Sequence, residues 1–362
     1  MRMSKKITYL ICVLAMFGLT YNAYSAVQYW DTTGDHMWST AGNWQNGAVP
    51  TTGSIIIGAS DQCVVNSAVT GSVANIYAGH SYRPTGTCNL NIVAGGSIAF
   101  SGTSSVVLGS SSNGYNATLN ITGGGTLNVS GSGGYLKVGD VSGSTGTLNM
   151  SGTNSYAIAN NCALGYSSGG NGMATISDGA VLEVIGSPVI GRFGSGTMIV
   201  NGGTVISQGW SQFFLGSTAT GSGTLTINSG LVDVVWGPIW VGSLGAGIVN
   251  VNGGTLNTTG VLNLGGGTAG YGIVNLEGGS LNASSIVMTS NSSMNITEGT
   301  LKLTGEITDI TNYGNIMAYS GDGTFNYDYD GTFTTITAEI PEPATICLLG
   351  FGGMVFLRRF KK

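Results

Sequence analysis

Short runs of alternating apolar and polar residues recur along most of this chain. Each recurrence begins with an aliphatic residue followed by glycine, and successive pairs are 30, 26, 26, 25, 26 and 23 residues apart. The aliphatic–glycine pair ends the first run of each unit. A second alternating run follows it, for example Thr118-Leu119-Asn120-Ile121, and a third run follows a glycine-containing turn, for example Thr126-Leu127-Asn128-Val129. A period of two is typical of half-buried strands. The aliphatic–glycine pairs are Leu108-Gly109, Val138-Gly139, Leu164-Gly165, Ile190-Gly191, Leu215-Gly216, Val241-Gly242 and Leu264-Gly265.

A repeat of this length predicts stacked units that each contribute three short strands. No segment keeps a 3.6-residue period, and 63 glycines among 362 residues disfavour helices. We therefore predict an all-β fold, a right-handed parallel β-helix of about eight turns over residues 92–305. Leu119, Ile121, Leu127 and Val129 are predicted to face inward and to stack on their equivalents one turn away. A propeller is the structural alternative, but its blades need about 40 residues or more.

Asparagine recurs in the second run, after its first apolar residue. Stacked amides bond one another along a parallel stack, so a polar ladder is predicted. A row of sugar-binding side chains is the functional alternative. The positions are Asn120, Asn149, Asn250, Asn275 and Asn295.

Residues 26–91 precede the regular repeats and contain Trp30, Trp38 and Trp44 within 15 residues. An open solenoid end exposes unpaired strands and a bare core, so a cap is required there. The segment resembles the opening cap of bacterial β-solenoid surface proteins, including those with autotransporter-type repeats. We predict a cap followed by the first irregular turns, and an aromatic platform for sugars is the alternative for the three rings.

Residues 306–338 lose the repeat and are predicted to form a C-terminal cap or linker. A calcium site is a possible interpretation of three acidic residues in this segment, because hard cations bind several oxygens. These residues are Asp322, Asp328 and Asp330. Their spacing matches neither an EF-hand loop nor the nonapeptide of calcium-binding β-rolls. We therefore predict a hairpin with a solvated turn and no metal.

Composition narrows the classes of partner. Charged residues make up 7% of the chain and apolar residues 42%, so the chain is too apolar for a disordered polymer. Residues 26–340 contain four basic side chains and 15 acidic ones. Nucleic acid is excluded as a partner, because its phosphates require clustered Lys and Arg.

The N-terminus has the order of a secretory signal peptide. Arg2, Lys5 and Lys6 precede an apolar stretch over residues 7–19, and Ala23 and Ser25 are the small residues that a signal peptidase inspects. Residues 1–25 are predicted to be removed after Ser25. A first transmembrane helix is the alternative.

The C-terminus, residues 339–362, has the features of a second targeting segment. Pro341-Glu342-Pro343 precedes an apolar run over residues 344–357, and Arg358 and Arg359 begin a basic end. The run is shorter than the roughly 20 residues of a membrane-spanning helix, and its basic end would stay on the cytoplasmic side. This tail resembles the PEP-CTERM sorting signal of bacterial surface proteins. The resemblance implies an exosortase-type enzyme that removes the tail, with the short hydrophobic helix as a transient membrane anchor. An ordinary tail anchor is the alternative.

Three cysteines lie between the two targeting segments. Cys63 and Cys88 are 25 residues apart, about one repeat, so their stacking predicts a disulfide in an exported protein. Cys162 is predicted to be a buried thiol.

Catalytic chemistry is not predicted. Polysaccharide cleavage needs positioned carboxylates, whereas the acids of the repeats rarely share a column in neighbouring turns. His36 and His80 have no partner in sequence, and no nucleophile elbow or zinc spacing is present. We predict a protein without enzymatic activity or cofactor, acting as a structural or adhesive rod of the cell surface or extracellular matrix, such as a biofilm adhesin. The alternative is a module that binds or cleaves carbohydrate, with extracellular polysaccharide as its partner. The scattered acids are Asp140, Asp178, Glu183, Asp233, Glu277 and Glu298.

Overall fold

The chain folds as a parallel β-solenoid of about 11 turns. The computed structural model describes residues 27–31, 34–100, 102–111, 114–209 and 212–340. Each regular turn contributes three strand segments, so the solenoid has three faces. This confirms the predicted all-β solenoid.

The first face is an 11-stranded sheet in which every neighbouring pair is parallel. In the regular turns its strands contain the aliphatic residue of the aliphatic–glycine pair, and the glycine follows. The strands are Gln28–Tyr29, Thr52–Gly58, Ser72–His80, Ser105–Leu108, Tyr135–Val138, Asn161–Leu164, Pro188–Ile190, Phe213–Leu215, Ile239–Val241, Val261–Leu264 and Ser285–Met288.

The second and third faces belong to one 20-stranded sheet, because two 13-residue strands, Ser195–Ser207 and Ser222–Val234, run from one face onto the other. The other strands of the second face are Gln62–Val65, Gly86–Ile92, Tyr115–Thr122, Thr145–Ser151, Asn171–Ser177, Ala246–Val251, Tyr271–Leu276, Ser293–Ile296 and Ile316–Ala318. Those of the third face are Ser97–Ala99, Thr126–Val129, Tyr156–Ala159, Val181–Val184, Thr255–Thr258, Ser280–Ala283 and Thr300–Thr304.

The described part of the C-terminal segment forms an antiparallel hairpin, as predicted. Phe333–Glu339 pairs antiparallel with the last third-face strand, and Thr324–Tyr329 pairs with Phe333–Glu339. The hairpin therefore covers the edge that the last turn of the third face would expose. The described 3-10 helices are Ala41–Asn43, Ile310–Tyr313 and Tyr319–Gly321.

Aliphatic side chains of equivalent positions stack along the interior. Leu119 is paired in register with Leu90 on one side and Leu148 on the other, and all three are buried. Ile121 lies two residues later, next to Ile92 and Met150, and is also buried. The alternation that predicts strands therefore also assigns which side chains face the core.

The solenoid has about 11 turns, more than the predicted eight, because it extends beyond residues 92–305. Stacking begins where Gln28–Tyr29 pairs with Thr52–Gly58, and it continues to Ile316–Ala318 on the second face. The early turns do not show the regular sequence period because their strands pair irregularly. The pairing of Thr52–Gly58 with Ser72–His80 shifts register at Gly53/Ser54 and at Ile57/Gly58. The predicted signal peptide and C-terminal hydrophobic helix lie outside the described residues.

The glycine of each aliphatic–glycine pair lies where the chain leaves the first face. The seven φ angles range from 62° to 76°, a region that disfavours other residues. At Gly191 a Cβ would also collide with the backbone of Ser222, one turn further along. Glycine is therefore required at this corner for both backbone conformation and close approach.

The predicted amide ladder is present in two segments on the second face. Asn149 Nδ2 donates to Asn120 Oδ1 at 2.9 Å, and Asn120 Nδ2 donates to Asn91 Oδ1 at 2.7 Å. Asn275 Nδ2 donates to Asn250 Oδ1 at 2.8 Å. The ladder is interrupted where threonine and isoleucine occupy the column, from Thr175 to Thr226.

Two parts of this pattern were not predicted. Asn295 was predicted to continue the row, but the bond found for its side chain is different: its Oδ1 accepts from the backbone N–H of Ser320 at 2.7 Å. A second, exposed ladder links Asn201, Asn228 and Asn252 with two bonds of 2.8 Å. These residues follow the second run directly, at the corner toward the third face.

Replacing Asn120 by alanine is expected to lower the free energy of unfolding by about 1–2 kcal/mol. The change removes two amide bonds at a half-buried position and leaves Asn91 and Asn149 without their ladder partner. Asn228→Ala also removes two bonds, but at an exposed position where water replaces them, so we expect a loss below about 0.5 kcal/mol. Chemical denaturation of both variants tests this, and equal losses would contradict it.

Candidate functional site

The three tryptophans of the N-terminal segment form one buried cluster. Trp30, Trp38 and Trp44 are each at most 4% exposed. The Trp44 ring meets both others edge to face, with centroids 4.8 Å apart in each pair. Trp44 Nε1 also donates to the backbone oxygen of Trp38 at 2.9 Å.

This geometry does not fit the sugar-platform alternative. A platform must present ring faces to solvent, and all three rings are packed within the core that continues into the solenoid. The cluster instead fills the interior of the first turn, where Trp30 and Trp44 form an antiparallel bridge. It therefore closes the end of the apolar core, as a cap does.

A buried carboxylate lies next to the cap. Asp61 has a side chain only 4% exposed, and its Oδ2 accepts the Gly58 N–H at 3.1 Å. Arg83 lies 3.6 Å from Asp61 and donates to Asp31 Oδ1 at 3.0 Å. Burial raises the pKa of Asp61 from 3.8 to about 6, although the Arg83 charge acts in the opposite direction.

Replacing Asp61 by asparagine is expected to have a pH-dependent effect on stability. Because the pKa of Asp61 is raised in the folded protein, Asp61 contributes to the free energy of unfolding mainly when it is protonated. This stabilising contribution is fully present below its unfolded pKa of 3.8 and is lost as pH rises through about 6. Asparagine keeps an acceptor for Gly58 and does not ionise. Between pH 4 and pH 8, the free energy of unfolding of Asp61→Asn should therefore rise by about 2 kcal/mol relative to that of the unchanged protein. Urea denaturation at both pH values tests this, and a pH-independent difference would contradict it.

The cysteines are separate buried thiols. Cys63 pairs in register with Leu90, so Cys88 lies two residues away along the neighbouring strand. Diagonal neighbours in a sheet are about 7–8 Å apart, beyond the usual Cα separation of a disulfide. Cys63 and Cys88 are thus free, which departs from the predicted disulfide. Cys162 is buried as predicted, and burial raises its pKa to about 12.

Several acids of the repeats take part in contacts within the solenoid. Glu183 accepts a hydrogen bond from the Tyr156 hydroxyl at 2.6 Å, and Asp233 accepts one from Asn257 at 2.7 Å. Within residues 27–340, apart from the gaps at 32–33, 101, 112–113 and 210–211, no group of three or more His, Cys, Asp or Glu side chains is placed to hold a metal ion.

A cation–aromatic cluster lies at the corner after the first face, on three consecutive turns. Lys137 Nζ is 4.1 Å from the centroid of the Tyr166 ring, and Arg192 Cζ is 4.6 Å from the same centroid. The Phe193 ring lies 5.3 Å from Arg192 Cζ. Lys137 also lies 3.8 Å from Asp140, whereas no carboxylate of the described residues is within 4 Å of Arg192.

The sequence contains a signal for this cluster that pattern reading missed. Tyr166 and Arg192 each directly follow the glycine of an aliphatic–glycine pair, and Asp140 does so one turn earlier. The same corner position in consecutive turns therefore carries an acid, an aromatic ring and a guanidinium. Scanning the position after the glycine would have brought them together.

Apolar side chains continue this surface along the first face. Val189, Phe214 and Trp240 occupy one outward column and pair in register across consecutive turns. Trp236 and Leu244, before and after the strand that contains Trp240, are exposed. The cluster and this column therefore form a strip along the solenoid axis.

A groove of about 410 Å³ lies near the C-terminal end, on the third face. Asn257, Asn282 and Lys302 line it from three consecutive turns, and Phe333 closes it. Lys302 Nζ lies 4.5 Å from the Phe333 ring centroid and 3.8 Å from Asp330. Lys302 therefore makes the same two kinds of contact, with a carboxylate and a ring, as Lys137.

The predicted sorting residues Pro341, Glu342, Pro343, Arg358 and Arg359 lie outside the described residues. Over the described ranges between 27 and 340, none of the helices has the length and hydropathy needed to cross a membrane.

Comparison with known families identifies the tail. A family model described as the PEP-CTERM protein-sorting motif matches residues 339–362, which confirms the resemblance seen in the sequence. This motif is recognised by exosortase and indicates an exported protein associated with the cell envelope. No curated protein and no solved structure matches the chain. The motif therefore indicates where the protein is sent, and it does not define the role of the solenoid.

Proposed function

We propose that this protein is a structural and adhesive rod of the bacterial cell surface or extracellular polysaccharide matrix. The observation that carries the proposal is the continuous stack of about 11 turns joined to an export-sorting tail. Such a stack presents long, regular faces at a fixed spacing of about 4.8 Å per turn. A repeating surface of this kind suits attachment to a repeating polymer.

The proposed role requires no catalysis. The scattered acids, and the hydrogen bonds that Glu183 and Asp233 make to neighbouring turns, support this. A polysaccharide-cleaving enzyme is the second candidate, because the groove lined by Asn257, Asn282 and Lys302 has the size of a small ligand site. Release of reducing ends from acidic or neutral polysaccharides would establish that candidate and overturn the non-enzymatic proposal.

Export is proposed to proceed in two cleavages. Signal peptidase removes residues 1–25, and an exosortase-type enzyme removes the tail after it has held the protein transiently in the membrane. The mature rod then enters the matrix.

Mass spectrometry of the mature protein tests this route. In a host that contains exosortase, we expect a new C-terminus near Pro341 and loss of the apolar run. In the same host without exosortase, the tail should remain and the protein should stay in the membrane fraction. An intact tail on matrix-bound protein would contradict the proposed processing, and protein retained in the cytoplasm would contradict export.

A further inference from the structure

We propose that the strip on the first face binds a carboxylate-bearing polysaccharide lying along the solenoid axis. The cationic and aromatic members of the strip are Lys137, Tyr166, Arg192, Phe193, Phe214 and Trp240. This inference rests on the adhesive role proposed above and names the chemical class of the polymer.

Charge provides the first argument. Residues 26–340 contain only four basic side chains against 15 acidic ones, and two of those four flank the Tyr166 ring. Asp140 lies 3.8 Å from Lys137, so the cluster at this corner keeps a net positive charge through Arg192 on an otherwise acidic rod. An anionic ligand is attracted to that corner and repelled by most of the remaining surface.

The state of Arg192 provides the second argument. Its guanidinium lies over the rings of Tyr166 and Phe193, and no carboxylate of the described residues is within 4 Å of it. Contacts with ring faces leave the N–H donors, which lie in the guanidinium plane, for another partner. A carboxylate fits that plane with two parallel hydrogen bonds.

The aromatic column provides the third argument and distinguishes a sugar polymer from a simple anion. Phe214 and Trp240 follow the cationic corner on the next two turns and lie on the outward side of the sheet. Sugar rings present C–H faces that pack on aromatic rings, while their hydroxyls remain in water. A polysaccharide with carboxylates therefore binds both the cationic corner and the aromatic column of the strip.

Spacing sets the orientation of the polymer. Lys137 and Arg192 belong to turns separated by one intervening turn, so their two charges follow one another along the axis. Both charges reach back to the ring of the intervening turn, at 4.1 and 4.6 Å from the Tyr166 centroid. Carboxylates on neighbouring sugars of a chain parallel to the axis would thus meet both cations.

The test measures binding of the full-length protein, immobilised from detergent solution, to polygalacturonate at low and physiological salt. We expect binding that weakens as salt rises, because the contact is partly electrostatic. The methyl-esterified polymer has the same backbone without free carboxylates, and we expect it to bind at least tenfold more weakly. Poly-glutamate carries carboxylates without sugar rings and should also bind at least tenfold more weakly.

Matched variants locate the site. Arg192→Gln and Lys137→Gln each remove one positive charge and are expected to weaken binding at least tenfold. Lys302→Gln removes the same charge from another cation–aromatic contact, in the groove of the third face, and should change binding less than twofold. Arg192→Lys keeps the charge without the planar donors and should give an intermediate loss. Thermal unfolding of each variant identifies any that fail to fold.

Three outcomes would overturn the proposal. The first is absence of binding to polygalacturonate, and the second is equal binding of the esterified polymer or of poly-glutamate. The third is a loss with Lys302→Gln as large as with Arg192→Gln, which would place the ligand in the groove or reduce it to general charge attraction. None of these results affects export, which the mature C-terminus tests separately.

Discussion

Replacing Gly191 by alanine is expected to lower the free energy of unfolding by about 3 kcal/mol or more. Gly191 has a φ of 72°, where a side chain costs about 1–2 kcal/mol. The new Cβ would also collide with the backbone of Ser222 on the next turn. Because strand pairing on all three faces sets the distance between turns, neither backbone can retreat without breaking ladder hydrogen bonds. Chemical denaturation monitored by circular dichroism measures the loss.

Gly305 offers a matched control for this prediction. Its φ of 89° is also left-handed, but no heavy atom lies within 4 Å of the position that a Cβ would take. Gly305→Ala should therefore show only the conformational cost of about 1–2 kcal/mol. Equal losses in the two variants would mean that close approach between turns contributes nothing at Gly191.

Replacing Trp44 by alanine is expected to lower the free energy of unfolding by about 3–5 kcal/mol. The change removes a buried ring that contacts both Trp30 and Trp38, together with its hydrogen bond to the Trp38 carbonyl. The cavity lies at the end of the core, so the first turns should lose protection before the middle of the rod. Hydrogen exchange should show faster exchange around Thr52–Gly58 than around Ser222–Val234.

Tyr271→Ala is the control for the loss of an aromatic ring. Tyr271 is exposed at the start of a second-face strand, so its removal should change stability by less than about 0.5 kcal/mol. Uniform loss of protection along the whole rod in Trp44→Ala would contradict a local capping role and indicate a single cooperative unit.

The repeat could be read from the sequence because one local rule operates in every turn. An inward side chain such as Leu119 must be apolar, its neighbour Asn120 must tolerate the outer surface, and the corner must accept a left-handed residue. These requirements are satisfied within a few residues, so they leave a periodic trace. The stacked amides follow from the same rule, because equal positions in successive turns become neighbours.

Features that depend on the register between turns left no such trace. Cys63 and Cys88 are one repeat apart in sequence, but an irregular turn shifts their alignment by two residues, so that Leu90 takes the place opposite Cys63. Because of the same irregularity, the regular sequence period did not predict the first turns. Contacts between columns, such as Lys137 and Arg192 around Tyr166, also depend on which corner residues the stacking brings together.

By itself the sequence determined the class of fold, the core-facing positions and the sorting tail at residues 339–362, because period-two alternation and a terminal motif are local properties. Only the tertiary structure decided the length of the solenoid, the burial of Trp30, Trp38 and Trp44, and the free state of the thiols. It also decided that two of the few cations share one ring. These features arise from the alignment of residues some 25 positions apart, and a bulge of a single residue is enough to change that alignment.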